Sequence, residues 1–478
     1  MIFRERFETI RPLEEMEVAL VRASAQDPAL VTPPEEAVVR TALSLARLYK
    51  VPHRGREVGV GALLEPFRNE VKRRLEPVLL NGKPVRREAL APHLGWLKEE
   101  SLLRREAVVK RTENLVPAEA IYREIREKAL VLVAGGGGGS GYVYLGVMAT
   151  LDELGLRPAL MAATSIGAVL CLFRARMKRF DQTEMVNIVR GLSWKKLFRA
   201  ISMDSRYGLP AALRLFLRAG IGRYFHAGAE PDGAGHGQGL RLSDLPVPML
   251  IPVSGIRRGM LPHPVEFYEG LLSVSARSLF EPTLVARKVQ GAMGTVAEFF
   301  TRPEMMERLV LGDDEGTHDF DALDAAGFSS ALPGVIHYDV PRESERMASL
   351  LDGLFESRGL LRLVDGGLTD NLPAKAAWRA VHRGRIGTRN AFVLALNGFA
   401  PKLTTPLWLP LQRLAALTVA PNRPYAHLVK DFKRTLSPLE LVPSVDLVGR
   451  AMELGRRQIQ DEMPFICRML APLPHLMA

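Results

Sequence analysis

Over the first 128 residues, charged side chains interrupt Leu, Val and Ala at intervals of three and four, as in Asn69-Glu70-Val71-Lys72-Arg73-Arg74-Leu75 and Leu97-Lys98-Glu99-Glu100-Ser101-Leu102-Leu103. That period predicts amphipathic helices. Breaks are expected near Pro33-Pro34, Asn81-Gly82 and Pro92. Residues 1–128 therefore read as a helical N-terminal region, a cap or docking domain of unknown role. At Ala129 the texture changes. Ala129–Ala134 is an unbroken apolar run closed by glycine, which suits a strand buried on both faces of a parallel sheet. A helix is predicted over Tyr142–Leu154, ended by Gly155. A strand over Ala159–Thr164 and a helix from Ile166 to about Arg179 follow. Further strands are expected at Met249–Val253, Leu361–Val364 and Ala391–Leu396. Alternating strands and helices predict an α/β sheet with its chemistry at strand C-termini. The glycine-rich His226–Gly239 reads as a mobile loop, and the acidic Gly312–Asp324 as an exposed one. After Pro401 the chain turns Leu- and Pro-rich and then helical.

Composition narrows the class. In 478 residues, 47% are hydrophobic and 24% charged, which excludes collagen-like and disordered chains. Cys171 and Cys467 are the only cysteines, so no disulfide framework is expected. The N-terminus has no signal-peptide apolar core. The uncharged stretch Ala129–Leu151 is long enough to span a bilayer, but Gly135–Gly139 would break a helix there, so no transmembrane helix is expected. The chain is thus expected to be cytoplasmic. The net charge is +11, and twelve Lys/Arg stand against three acidic residues between Cys171 and Tyr224. This stretch intersperses Trp194, Leu197, Phe198 and Tyr207 with its cations, a pattern of basic amphipathic segments at anionic lipid surfaces. Neutralising Arg174, Lys178, Lys195 and Lys196 is then expected to weaken vesicle binding. Leu403–Pro421, with Trp408, is a second candidate lipid contact. No nucleic-acid motif accompanies the charge.

Three segments could carry chemistry. Gly136-Gly137-Gly138-Gly139-Ser140-Gly141 lies between a strand and a helix, where backbone N–H groups can meet a phosphate or an oxyanion. It fits GxGxxG, but the next strand ends without the ribose-binding carboxylate, and no Gly-Lys-Ser/Thr of a P-loop is present. Ala163-Thr164-Ser165-Ile166-Gly167 fits a nucleophile elbow with alanine in place of its first glycine; a helix-capping serine is the plain alternative. Asp365-Gly366-Gly367, followed by Asp370-Asn371-Leu372-Pro373, places a carboxylate at a strand end, or forms a simple turn.

In this order, with Phe328-Ser329-Ser330-Ala331-Leu332-Pro333-Gly334 between the last two, the segments resemble the patatin-like phospholipase family over residues 129–400. The resemblance implies a patatin-like three-layer α/β/α sandwich, with a catalytic domain at 129–400 and a helical C-terminal extension at 401–478. It implies Ser165 as nucleophile and Asp365 as base. Gly136, Gly137, Gly138, Gly139 and Gly141 would form an oxyanion hole, supported by Ala163, Gly167, Gly366 and Gly367. The substrate would be a phospholipid or neutral glycerolipid, with peripheral contact at an anionic membrane or lipid droplet. Neither cofactor nor metal is implied. Two positions depart from the family: Ser140 stands where many members carry Arg or Lys, and Ala163 replaces glycine. A non-catalytic lipid-binding scaffold and a transacylase are the rivals.

Overall fold

The computed structural model describes residues 2–177, 179–199, 205–226, 239–270, 294–402 and 408–477. Residues 227–238 of the glycine-rich loop, Lys178 and residues 403–407 of the second lipid-contact candidate lie outside this set. Contacts divide the chain into two compact units, residues 1–130, 378–392 and 460–478 in one, and 131–377 and 393–459 in the other.

The first unit is built on α1 (Ile2–Gln26), α2 (Pro33–Arg47), α3 (Gly61–Leu79), α4 (Arg87–Thr112) and α5 (Ala118–Arg126). Their apolar stripes meet in one core that includes Leu13, Leu20, Val39, Leu43, Leu64, Leu97 and Ile121. Thr32 caps α2 in a reciprocal box, donating N–H to Glu35 at 2.8 Å and accepting its N–H at 3.4 Å. The expected break at Pro92 does not occur, since Pro92 lies inside α4. The helical reading also missed a hairpin, β1 (Lys50–His53) and β2 (Arg56–Gly59). Its two turn residues, Arg54 and Gly55, have φ of 46° and 74°, as the twist of a two-residue hairpin requires. Glu17 is buried here between Arg40 at 3.0 Å and Lys128 at 2.9 Å.

The second unit holds a mixed sheet. Its strands are β3 (Ala129–Ala134), β4 (Pro158–Ala163), β7 (Met249–Arg257), β8 (Met306–Leu311), β10 (Leu360–Val364), β11 (Ala391–Asn397) and β12 (Leu428–Asp431). The order is β10-β7-β4-β3-β11-β12, with β8 also paired to β7. β4 is parallel to β7 and β11 to β12, whereas β10 and β8 run antiparallel to β7. β3, β4 and β11 are buried almost throughout, which is why they read as continuous apolar runs. Flanking helices include α6 (Val143–Glu153) and α7 (Ile166–Ala175). A smaller sheet joins β5 (Phe198–Arg199), β6 (Ala211–Leu215) and β9 (Gly334–His337).

Three expectations need correction. The helix after the elbow stops at Ala175 rather than near Arg179. Residues 401–478 are not helical throughout, because β12 pairs with β11 through Leu428–Asp431. Most of Gly312–Asp324 is not exposed. Asp321 and Asp324 are buried because Arg218 pairs with both and Arg346 with Asp321, while Tyr338 donates its hydroxyl to Asp324 at 2.5 Å.

Candidate active site

β4 ends at Ala163 and α7 begins at Ile166, so Ser165 must reverse the chain in one step. It does so at φ 55°, ψ −129°, a region that L-residues avoid at a cost of roughly 1–3 kcal/mol. Among the described non-glycine residues only Arg54 shares a positive φ. Ala163, fully buried at the strand end, has no positive φ, so its position demands no glycine. Gly167 is different: a Cβ there would lie 2.6 Å from the Gly135 carbonyl oxygen. Thr164 ties the turn to the sheet, donating its N–H to Ala134 at 3.0 Å and its hydroxyl to the Asp370 carbonyl at 2.8 Å.

Asp365 follows β10 directly. Its N–H donates to the Ala331 carbonyl at 2.8 Å, and its Oδ1 accepts the Gly367 N–H at 2.7 Å. Burial pushes its carboxyl up to about 7, against the pull of the Gly367 N–H and, more weakly, of the Ser165 hydroxyl. Gly366 donates to the Ser329 carbonyl at 3.2 Å. A second carboxyl, Asp370, is raised by burial to about 6, and is held by Arg308 at 2.8 Å and by the Asn422 amide at 2.9 Å.

The glycine segment separates into two kinds of amide. Gly136 donates to the Asn371 carbonyl at 3.3 Å and to its Oδ1 at 3.2 Å, and Gly139 donates to the Pro438 carbonyl at 3.0 Å. Both N–H groups are therefore engaged within the protein. The N–H groups of Gly137 and Gly138 have no acceptor among the described residues, and both glycines border the cavity described below. Gly138 needs to be glycine, with φ 56° and the Pro438 oxygen 2.2 Å from where a Cβ would lie. Ser140 is buried, and its hydroxyl donates to the Gly137 carbonyl at 2.7 Å, so it fastens the loop from below. Gly141 lies in the following tight turn, Gly138–Tyr142, against Ile166.

Ser165, Asp365, Gly137 and Gly138 border one cavity of about 210 Å³. The rest of its wall is largely apolar. Much of it comes from the basic stretch: Met185, Ile188 and Val189 of α8 (Gln182–Gly191), Leu197 of α9 (Trp194–Leu197), Leu213 and Leu215 of β6, and Leu217 and Ile221 of α10 (Leu217–Ile221). Helical spacing in α8 turns its apolar side to the cavity, while Arg190, Lys195, Lys196 and Arg223 are exposed. Arg174, expected to face lipid, is instead buried, donating to the Met177 carbonyl at 2.8 Å and lying 3.6 Å from Asp152. Trp408, also expected at a lipid surface, is buried in the cavity wall. Cys171 sits on α7 near Ser165, but burial pushes its thiol up to about 12, so it stays protonated.

Two residues of the site carry roles that sequence reasoning did not assign. Ser329 accepts the Ser165 N–H at 2.9 Å, and Asn371 holds Gly136. Both stood inside recognised segments, but nothing in a sequence tells which backbone amide a buried hydroxyl or amide will serve.

The strained Ser165 turn after the central strand β4 and the buried carboxyl of Asp365 thus border one apolar cavity of a mixed α/β sheet with flanking helices. The family model described as patatin-like phospholipase matches residues 132–378, just over half of the chain, and the protein belongs to that family. No curated protein matches it. Among the described residues, no helix is long and apolar enough to cross a membrane.

Proposed function

We propose that the protein is a lipid acyl hydrolase that cleaves carboxylic ester bonds of phospholipids or neutral glycerolipids through Ser165 and Asp365. The observation that carries this reading is the strained Ser165 turn beside a carboxyl raised to about 7, both opening on an apolar cavity. A general base works best with a pKa near the operating pH, and an ordinary aspartate near 3.9 would be a poor one. Ser165 Oγ attacks the ester carbonyl carbon as Asp365 takes its proton. The carbonyl oxygen becomes an oxyanion, met by the N–H groups of Gly137 and Gly138, each worth on the order of a few kcal/mol. The C–O bond to the alcohol then breaks, and Asp365 gives that alcohol the proton. Water attacks the acyl-serine with its proton passing to Asp365, and on collapse the proton returns to Ser165.

The apolar wall suits an acyl chain, and the cations outside it suit peripheral contact with an anionic membrane or droplet. In this reading the catalytic unit is a patatin-like three-layer sandwich centred on residues 129–400 and completed from 401–459. The test is hydrolysis of a dioleoyl lipid by wild type, Ser165→Ala and Asp365→Asn, together with fluorophosphonate labelling. Wild type should be labelled at Ser165, and both variants should lose at least about a thousandfold in kcat. Equal residual activity in all three would sink the reading in favour of a binding scaffold. Acyl transfer to an added lysolipid instead of water would make it a transacylase.

A further inference from the structure

We propose that Ser329 is a positioning residue that holds the Ser165 backbone in its strained turn, an inference that rests on the hydrolase reading above. Ser329 closes the helix Ala322–Ser329 and is fully buried. Its hydroxyl donates to the Pro252 carbonyl in β7 at 2.7 Å and accepts the Ser165 N–H at 2.9 Å. The direction of both bonds is fixed, because a carbonyl can only accept and an N–H can only donate. The same short stretch grips the other partner: the Ser329 carbonyl accepts the Gly366 N–H at 3.2 Å, and the Ala331 carbonyl accepts the Asp365 N–H at 2.8 Å. Ser165 and Asp365, two hundred positions apart in sequence, are thereby referenced to one three-residue segment. At φ 55° the Ser165 backbone is in a region it would leave if unheld, and its hydroxyl would turn with it. A hydroxyl suits the place because alanine can serve neither bond.

The experiment compares full-length wild type, Ser329→Ala and Ser329→Cys. A fluorophosphonate probe gives both the final labelled fraction and the rate of labelling, and a short-chain nitrophenyl ester gives kcat and KM. Ser329→Ala is expected to reach the wild-type labelled fraction about 10- to 100-fold more slowly, with kcat down by a similar factor and KM within about twofold, as a small misplacement of the reacting atom implies. Ser329→Cys keeps the volume but hydrogen-bonds weakly, and is expected to fall between; it decides alone if the alanine variant does not fold. Labelling at the wild-type rate overturns the proposal. So does a loss seen only as a smaller labelled fraction at an unchanged rate, which is what a merely structural role gives. Should wild type itself fail to label at Ser165, the hydrolase reading falls and this inference with it.

Discussion

At the scale of single residues, the site sets function against stability in Asp365. Its carboxyl is raised by burial to about 7, so it is neutral in the folded protein at mild acid and ionised above. In the proposed role of base it must be ionised, so kcat/KM should rise with pH through about 7 and level off beyond, in a pH–rate profile on a soluble ester. Stability should move the other way. A carboxyl whose pKa is higher folded than unfolded stabilises fully below its unfolded value near 4, and that contribution is lost as pH rises through 7. The loss is on the order of a few kcal/mol for a shift of this size. Asp365→Asn should thus be inactive yet melt above wild type, with a gap that widens from pH 5 to pH 9 in thermal scans. Asp370, raised to about 6, adds a decline of the same sign that the variant keeps. Both side chains that the cavity brings together, Ser165 and Asp365, were legible as residue types at strand ends. The state of each amide was not. Gly136 and Gly139 look the same as Gly137 and Gly138 in sequence, and it is the acceptors of Asn371 and Pro438, far along the chain, that distinguish them.

Elements were legible where burial is two-sided. β3 and β11 bury both faces, and their apolar runs match the observed strands to within a residue or two. β1 and β2 escaped because Lys50, His53, Arg56 and Glu57 hide any alternation, and only the left-handed pair Arg54-Gly55 marks the turn. The acidic stretch misled for a related reason. Charge predicts exposure unless a partner from elsewhere in the chain neutralises it, and Arg218 lies about a hundred residues before Asp321 and Asp324. That pairing also fixes α10, whose Leu217 and Ile221 wall the cavity. Arg218→Ala would leave two buried carboxylates short of a partner, an arrangement that costs roughly 3–5 kcal/mol. Its melting temperature should drop by several degrees, with Arg218→Lys recovering only part because lysine lacks the forked geometry. A melting point unchanged in Arg218→Ala would show that Arg346 and Tyr338 suffice.

For the whole molecule, the excess of positive charge has a location. Arg190, Lys195, Lys196 and Arg223 are exposed on the segment whose apolar side lines the cavity. Replacing these four by glutamine should weaken sedimentation with anionic vesicles about tenfold or more at low salt, since each cation near such a surface is worth about 1 kcal/mol. Turnover of a soluble short-chain ester should stay within about twofold. Loss of soluble-ester turnover, or undiminished vesicle binding, would remove the idea of a docking face. Arg174 belongs to the interior and is no part of that set.

The family match stops at residue 378, yet the glycine loop is roofed by what comes later. Gly139 leans on Pro438, the Tyr142 hydroxyl reaches the Leu441 carbonyl at 3.0 Å, and β11 and β12 close one edge of the sheet. Pro438 and Leu441 also line the cavity, so cutting the chain to the matched residues would strip away part of that wall, and a fragment meant to keep it has to run past Leu441.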